Sequence, residues 1–327
     1  MLEHVIILLI ALVVLVWSAD KFVLGASSLA RNIGVSPMII GLTIVAMGSS
    51  APEMMVAAAA SLQGSPDTAI GNAIGSNITN IALVLGLTVL IKPLVVSSST
   101  IRQELPLLLI LTLLSYWMLA DNLFSFYEGL ILMIGFFTFI SVFLIKALKQ
   151  RKDNLDDPMI TEAEQSVPEA TSTIKSIFWL IAGISLLVSS AHFLVDSAIF
   201  IAKAYGISDL VIGLTVIALG TSLPELAACI ASVIKKEDDL AMGNIVGSNV
   251  FNILAVLPIA GLIAPGEINP EASFRDFPIL IAITGLLLLL CFSRKSGCFR
   301  LTRIKGALLL VSFIAYQILL FSQTTFS

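Results

Sequence analysis

Gly41-Leu-Thr-Ile-Val-Ala-Met-Gly-Ser-Ser-Ala-Pro-Glu53 returns later in the chain as Gly213-Leu-Thr-Val-Ile-Ala-Leu-Gly-Thr-Ser-Leu-Pro-Glu225, with eight of thirteen positions identical. A second block, Asp67-Thr-Ala-Ile-Gly-Asn-Ala-Ile-Gly-Ser-Asn-Ile-Thr-Asn80, returns as Asp239-Leu-Ala-Met-Gly-Asn-Ile-Val-Gly-Ser-Asn-Val-Phe-Asn252, with eight of fourteen identical. The offset is 172 residues in both cases, and it also pairs Ser18 with Ser190, Pro93 with Pro265, Glu104 with Asp276 and Pro106 with Pro278. An ungapped match of this length marks the chain as two copies of one half.

The solvent of those halves follows from composition. Of 327 residues, 57% are hydrophobic and 12% charged, and the mean hydropathy is +1.02. Soluble domains carry roughly 25% charged residues, so lipid is the main surrounding. A helix crosses a bilayer with about 20 apolar residues. Uncharged runs at 5–19, 32–52, 68–91, 105–120, 129–145, 176–195, 210–224, 240–266, 277–293 and 306–327 predict ten spans. They are too long and too continuously apolar for barrel strands, which alternate. The expected fold is all-α and integral to the membrane: ten transmembrane helices as two inverted five-helix repeats. The first repeat covers 1–147 with its core at 36–93, and the second covers 176–327 with its core at 208–265. A polar linker at 148–175 joins them. Five is an odd number, so the second copy enters the membrane upside down, an arrangement that recurs in transporters with the substrate near the midplane.

Lys and Arg fall unevenly on the two sides of such a chain. The side holding the loop after the first helix carries 16 of the 18, and the other side holds only Lys203 and Arg275. The positive-inside rule makes the richer side cytoplasmic. Both termini are then expected outside and the linker inside, in a multi-pass protein of the cell (inner) membrane. The N-terminal run, with Glu3 and no basic residue before it, reads as a first span and not as a cleaved signal. Three cysteines and two histidines build no metal or disulfide framework. No glycine-rich nucleotide loop is present. An enzyme, a resident cofactor, a nucleic-acid partner and an obligatory protein partner are therefore not expected.

The chemistry lies in the repeated blocks. Glu53 and Glu225 sit in apolar segments, where a charge costs at least ~2.5–3.5 kcal/mol. Protonation or a solvated vestibule would account for them; so would a bound cation. Pro52 and Pro224 precede the acids. Proline lacks an N–H and its ring displaces the carbonyl four residues back, so each helix should break at Gly48 or Gly220. Freed carbonyls in a membrane need another partner, and Ser49, Ser50, Thr221 and Ser222 add hydroxyls at the breaks. In the second blocks, Asn72, Ser76 and Asn80 share one helical stripe, as do Asn244, Ser248 and Asn252. Amide and hydroxyl oxygens suit hard cations. Asn80 and Asn252 read as ligands, and Asn77 and Asn249 as bridges between helices. Gly71 with Gly75, and Gly243 with Gly247, form small-xxx-small pairs that allow close helix approach.

Together GSSAPE at 48–53, GTSLPE at 220–225, GNAIGSN at 71–77 and GNIVGSN at 243–249 resemble the two α-repeats of the calcium/cation antiporter superfamily, in its bacterial and archaeal sodium/calcium exchanger form. The resemblance covers essentially the whole chain. It implies cation sites among the second, third, seventh and eighth helices. Glu53 and Glu225 would be the central acids, and Ser49, Ser50, Thr221 and Ser222 would give hydroxyl or carbonyl oxygens. Ala46 and Ala218 would give carbonyls, Ser76 and Ser248 would complete flanking sodium sites, and Asn80 and Asn252 would lie beside the acids. Some relatives, including potassium-dependent exchangers, carry Asp where Asn252 stands. The implied function is sodium-for-calcium exchange across the bilayer, with the first and sixth helices as a sliding gate. Asp20 and Asp196 on those helices read as packing or gate residues. A proton-coupled antiporter for calcium or another divalent cation is the alternative.

Overall fold

A computed structural model describes residues 2–155, 172–205, 218–291 and 299–326. Its helices, in chain order, are α1 (Leu2–Asn32), α2 (Met38–Ser49), α3 (Ala51–Leu62), α4 (Pro66–Ile91), α5 (Leu105–Leu119) and α6 (Phe126–Leu155). After the linker come α7 (Thr173–Ala204), α8 (Leu223–Ile234), α9 (Asp238–Ile263), α10 (Ala272–Cys291) and α11 (Arg303–Phe326). Helix α1, at 31 residues, is about 46 Å long at 1.5 Å per residue, more than the hydrocarbon thickness.

Among the described residues seven helices are long and apolar enough to cross a membrane, or eight if α2 and α3 form one span bent by 44°. Helix α8 has 12 residues, and the run expected just before it, 210–217, lies outside the described residues. The spans differ sharply in surroundings. The most apolar stretches of α1, α6 and α11 are only 22% buried, whereas those of α4 and α9 are 72% and 89% buried. The poorly buried helices present Leu, Ile, Val and Phe outward, which in water would be an aggregation hazard and in lipid is the ordinary state. The protein is an α-helical integral membrane protein whose α4 and α9 are enclosed by protein. The expected linker is partly helical: α6 continues through Leu155 and α7 starts at Thr173. The Lys, Gln and Arg of 149–152 are good helix formers, so polarity there did not end the helix. Residues 156–171 of the linker lie outside the described residues.

The element boundaries repeat at the offset seen in the sequence. Helix α3 (51–62) maps onto α8 (223–234), and α5 (105–119) onto Phe277–Cys291, with both ends shifted by 172 residues. The π-helical turns Thr100–Glu104 and Ala272–Asp276 are related by the same shift. So are the side-chain bonds Ser18 to Leu15 and Ser190 to Leu187, and Thr112 to Leu108 and Thr284 to Leu280.

Two compact units interleave these elements. The first holds Met1–Ser49 with Phe136–Gly247, and the second holds Ser50–Gly135 with Ser248–Ser327. In the first, α1 and α7 pack along one another. A Cβ at Gly183 would stand 2.7 Å from the Cα of Phe22, so only glycine permits this approach. In the second, two short antiparallel ribbons add a little strand to the expected all-α fold. β1 (Leu94–Val96) pairs with β4 (Phe299–Leu301), and β2 (Leu123–Phe124) with β3 (Gly266–Glu267). Each ribbon joins a segment from one half of the sequence to a segment from the other.

Candidate functional site: buried amides and acids at two helix breaks

Both predicted breaks are present. Ser50 leaves helical geometry at φ −86° and ψ 8°, and α3 starts with Pro52 in its first turn. Ser222 does the same at φ −92° and ψ 4° before α8. Each acid therefore sits in the first turn of a helix, Glu53 on α3 and Glu225 on α8, and both are fully buried.

In the second unit, α3 packs against α4 and against the Asn252–Val256 turn of α9, and these last two also pack together. Glu53 and Asn252 thus ride on packed segments, and Asn80 lies in the Thr79–Leu85 turn that continues the Pro66–Ile78 stretch of α4 packed against both. Asn80 and Asn252 are both 0% exposed, and among the described residues neither side-chain oxygen nor nitrogen of either has a hydrogen-bond partner. A buried polar group without a partner costs about 1–3 kcal/mol, and here the fault occurs twice at equivalent positions. Both amides also lie in π-helical turns, Thr79–Leu85 and Asn252–Val256, a distortion frequent at functional sites. Ser76 and Ser248 are buried one turn before them. Asn72 instead donates its amide to the Glu53 carbonyl at 3.1 Å. Asn77 donates to the Asn249 carbonyl at 3.3 Å, which fits the helix-bridging reading and links two positions 172 residues apart.

In the first unit, the Ala46–Ser49 turn packs against α8. The Ser49 hydroxyl donates to Asn244 Oδ1 at 3.2 Å, and Asn244 Nδ2 donates to the Cys229 sulfur at 3.4 Å. Ser49 also lies 3.4 Å from the Ala46 carbonyl. Thr221 and Ser222 form the turn into α8, and the buried Ser222 hydroxyl has no hydrogen-bond partner among the described residues. Ala218 opens a short helical turn, Ala218–Gly220. Sequence reasoning missed the Ser49–Asn244–Cys229 chain; Cys229, four residues after Glu225 on the same helical face, was the available signal. Gly243 and Gly247 behave as expected: a Cβ at either would come within 3.0 Å of the Met38 to Leu42 backbone. For Gly71 and Gly75, nothing among the described residues lies within 4 Å of that position. Residues 210–214, the repeat counterparts of 38–42, lie outside the described residues.

Asp20 and Asp196, expected as packing or gate residues, have basic partners. Asp20 on α1 pairs with Lys235 at 2.6 Å and Lys21 at 3.5 Å, and Asp196 on α7 lies 3.3 Å from His192.

Comparison with known proteins agrees with this chemistry. A family profile described as Sodium/calcium exchanger protein matches residues 3–145 and 175–322. CaxA of Alkalimonas amylolytica, whose name marks it as a suspected antiporter, is 53% identical over 99% of this chain and 100% of its own length. The sodium/calcium exchanger MaX1 of Methanosarcina acetivorans is 31% identical over 97% of this chain and 98% of its own. A structure of the sodium-calcium exchanger NCX_Mj, soaked with sodium and calcium, superposes with a TM-score of 0.80 at 31% identity, covering 96% of this chain and 97% of that one. The chain therefore belongs to the sodium/calcium exchanger protein family, and it is a membrane antiporter for calcium or related cations.

Proposed function

We propose that the protein exchanges sodium for calcium by alternating access, with inward sodium driving calcium out of the cell. The observation that carries this reading is the pair of fully buried amides Asn80 and Asn252, without a hydrogen-bond partner among the described residues, on the two helices α4 and α9 that pack against the helix of Glu53. A carbonyl-type oxygen in such a place is satisfied by a hard cation. Glu53 and Glu225 supply about two negative charges, which one calcium or two sodium ions balance. Exclusive occupancy then couples the two flows. Ser49, Ser50, Thr221, Ser222, Ser76 and Ser248, with the carbonyls of Ala46 and Ala218, are the further oxygens assigned to the ions.

Ten spans in two inverted repeats of five, with both termini outside and the central linker cytoplasmic, complete the proposal. The recurrence of helix ends at a 172-residue shift supports the repeats, and the 16-to-2 bias in Lys and Arg supports the orientation. Reporter fusions at the C-terminus and near residue 160 should report opposite sides. The coupling ion is tested by calcium-45 flux in proteoliposomes under imposed sodium, potassium or proton gradients. Uptake driven by sodium alone is expected; uptake that follows the proton gradient and ignores sodium would replace this reading with a proton-coupled antiporter.

A further inference from the structure

Helix α8 ends in a rigid turn. The Lys235, Lys236 and Glu237 amides bond back to Ala231, Val233 and Ser232, and Lys236 takes a left-handed φ of 66°. This turn presents Lys235 and Glu237 to the second half of α1. Lys235 reaches Asp20, as described, and Arg31 pairs with Glu237. Lys21, the second partner of Asp20, lies 5.9 Å from the Trp17 ring and 5.6 Å from the Trp179 ring. Two ion pairs about eleven residues apart along α1 thus hold that helix to the end of α8.

The same backbone turn recurs in the first half. Gly64 takes φ 75°, and the amides of Gln63, Gly64 and Ser65 bond back to Ala59, Ser61 and Ala60. Only the charges are missing. At the 172-residue offset, Lys235 and Glu237 become Gln63 and Ser65, while Asp20 and Arg31 become His192 and Lys203. Neither the His–Gln nor the Lys–Ser combination is an ion pair. In a carrier made of inverted repeats, the opposite-facing state exchanges the roles of the halves, so α7 would meet the end of α3 as α1 now meets the end of α8. The residues at the mirrored positions therefore supply no equivalent of the two ion pairs.

We infer that the Asp20–Lys235 and Arg31–Glu237 pairs form a one-sided clamp that biases the carrier toward the arrangement in which the cytoplasmic half of α1 is pinned to α8. The inference rests on the alternating-access reading above. A ligand's apparent affinity on each side scales with the fraction of carrier open to that side. The clamp therefore weakens capture of calcium from the cytoplasm and raises the fraction of resting carrier open to the outside. Partly exposed ion pairs are individually modest, so two together are worth about a three- to tenfold shift in population.

The test measures apparent calcium affinity separately in inside-out and right-side-out membrane vesicles. Asp20→Asn with Arg31→Gln should tighten the cytoplasmic-side affinity by about three- to tenfold, each variant alone by less, and weaken the outer-side affinity by a smaller factor. Asp20→Lys with Lys235→Asp restores the pair in reverse and should return both affinities toward the original values. Arg31 is half exposed, so Arg31→Gln reads the second tie by itself should the Asp20 variant fail to fold. Affinities that stay unchanged, or that move the same way on both sides, while sodium-driven exchange persists would overturn the clamp. Exchange that ignores sodium in the unaltered protein would overturn the coupling reading instead.

Discussion

Helices α3 and α8 have the same length, the same proline in the first turn and the same acid directly after it, yet their neighbours differ. Beside α3, Asn72 donates to the backbone of Glu53. Beside α8, the equivalent Asn244 turns to the sulfur of Cys229 and accepts from Ser49. Position 57, the counterpart of Cys229, is alanine and has no polar atom to offer. The repeat has thus kept the backbone that places the two acids while the polar contacts around them diverged. Equivalence of position is not equivalence of role, and substitutions at paired positions measure how far the two have separated.

The acids should behave alike. Glu53→Gln and Glu225→Gln each remove one charge and keep the shape, so each should lower calcium exchange by at least about 100-fold, because a charged ligand at a desolvated site has no substitute. Flux assays on purified protein, with thermal unfolding as the control for folding, decide this. Exchange near the original rate in one variant would assign that acid a structural role and end the symmetry.

Packing around α9 sets the next largest effect. A Cβ at Gly243 would meet the Met38 carbonyl at 2.7 Å and the Gly41 Cα at 3.0 Å. Gly243→Ala should therefore destabilise by about 1–3 kcal/mol, the usual cost of overpacking, seen as a lower unfolding temperature in detergent. An unchanged temperature would mean that the α2 contact yields easily.

The asparagines should differ. Asn244→Ala removes two buried side-chain bonds and leaves Ser49 and Cys229 without that partner, for about 1–3 kcal/mol. Asn72→Ala removes a single part-buried bond, for about 0.5–1.5 kcal/mol. Equal losses in unfolding experiments would show that the Ser49–Asn244–Cys229 chain adds nothing. The smallest effect concerns ion selectivity. With Asn at both 80 and 252, calcium flux should persist when choline replaces potassium. Asn252→Asp adds a negative charge that needs a further cation, so this variant should gain a response to potassium or to acid in the same assay. Loss of flux by the unaltered protein on potassium removal would break the charge argument.

Much of this was legible in the residues themselves. A hydropathy pattern, a proline before an acid and an exact 172-residue shift are local or pairwise properties of the string. They foretold membrane helices, both helix breaks and the positions of Glu53 and Glu225. The Asn80 and Asn252 stripes followed from helical periodicity alone. Three things did not. The π-helical turns that carry those two amides depend on packing, since Thr79–Leu85 and Asn252–Val256 are as apolar and helix-compatible as their neighbours. The partners of Asn72 and Asn244 were set by which side chain the facing helix happened to present. The pairing of Asp20 with Lys235 joins residues 215 positions apart, and no local signal links them. Sequence determines which groups must find a partner in lipid, because the cost of an unpaired charge or amide is a property of the group. Only the tertiary structure decides which partner it finds, because that depends on distance and on the other side chains competing for the same space.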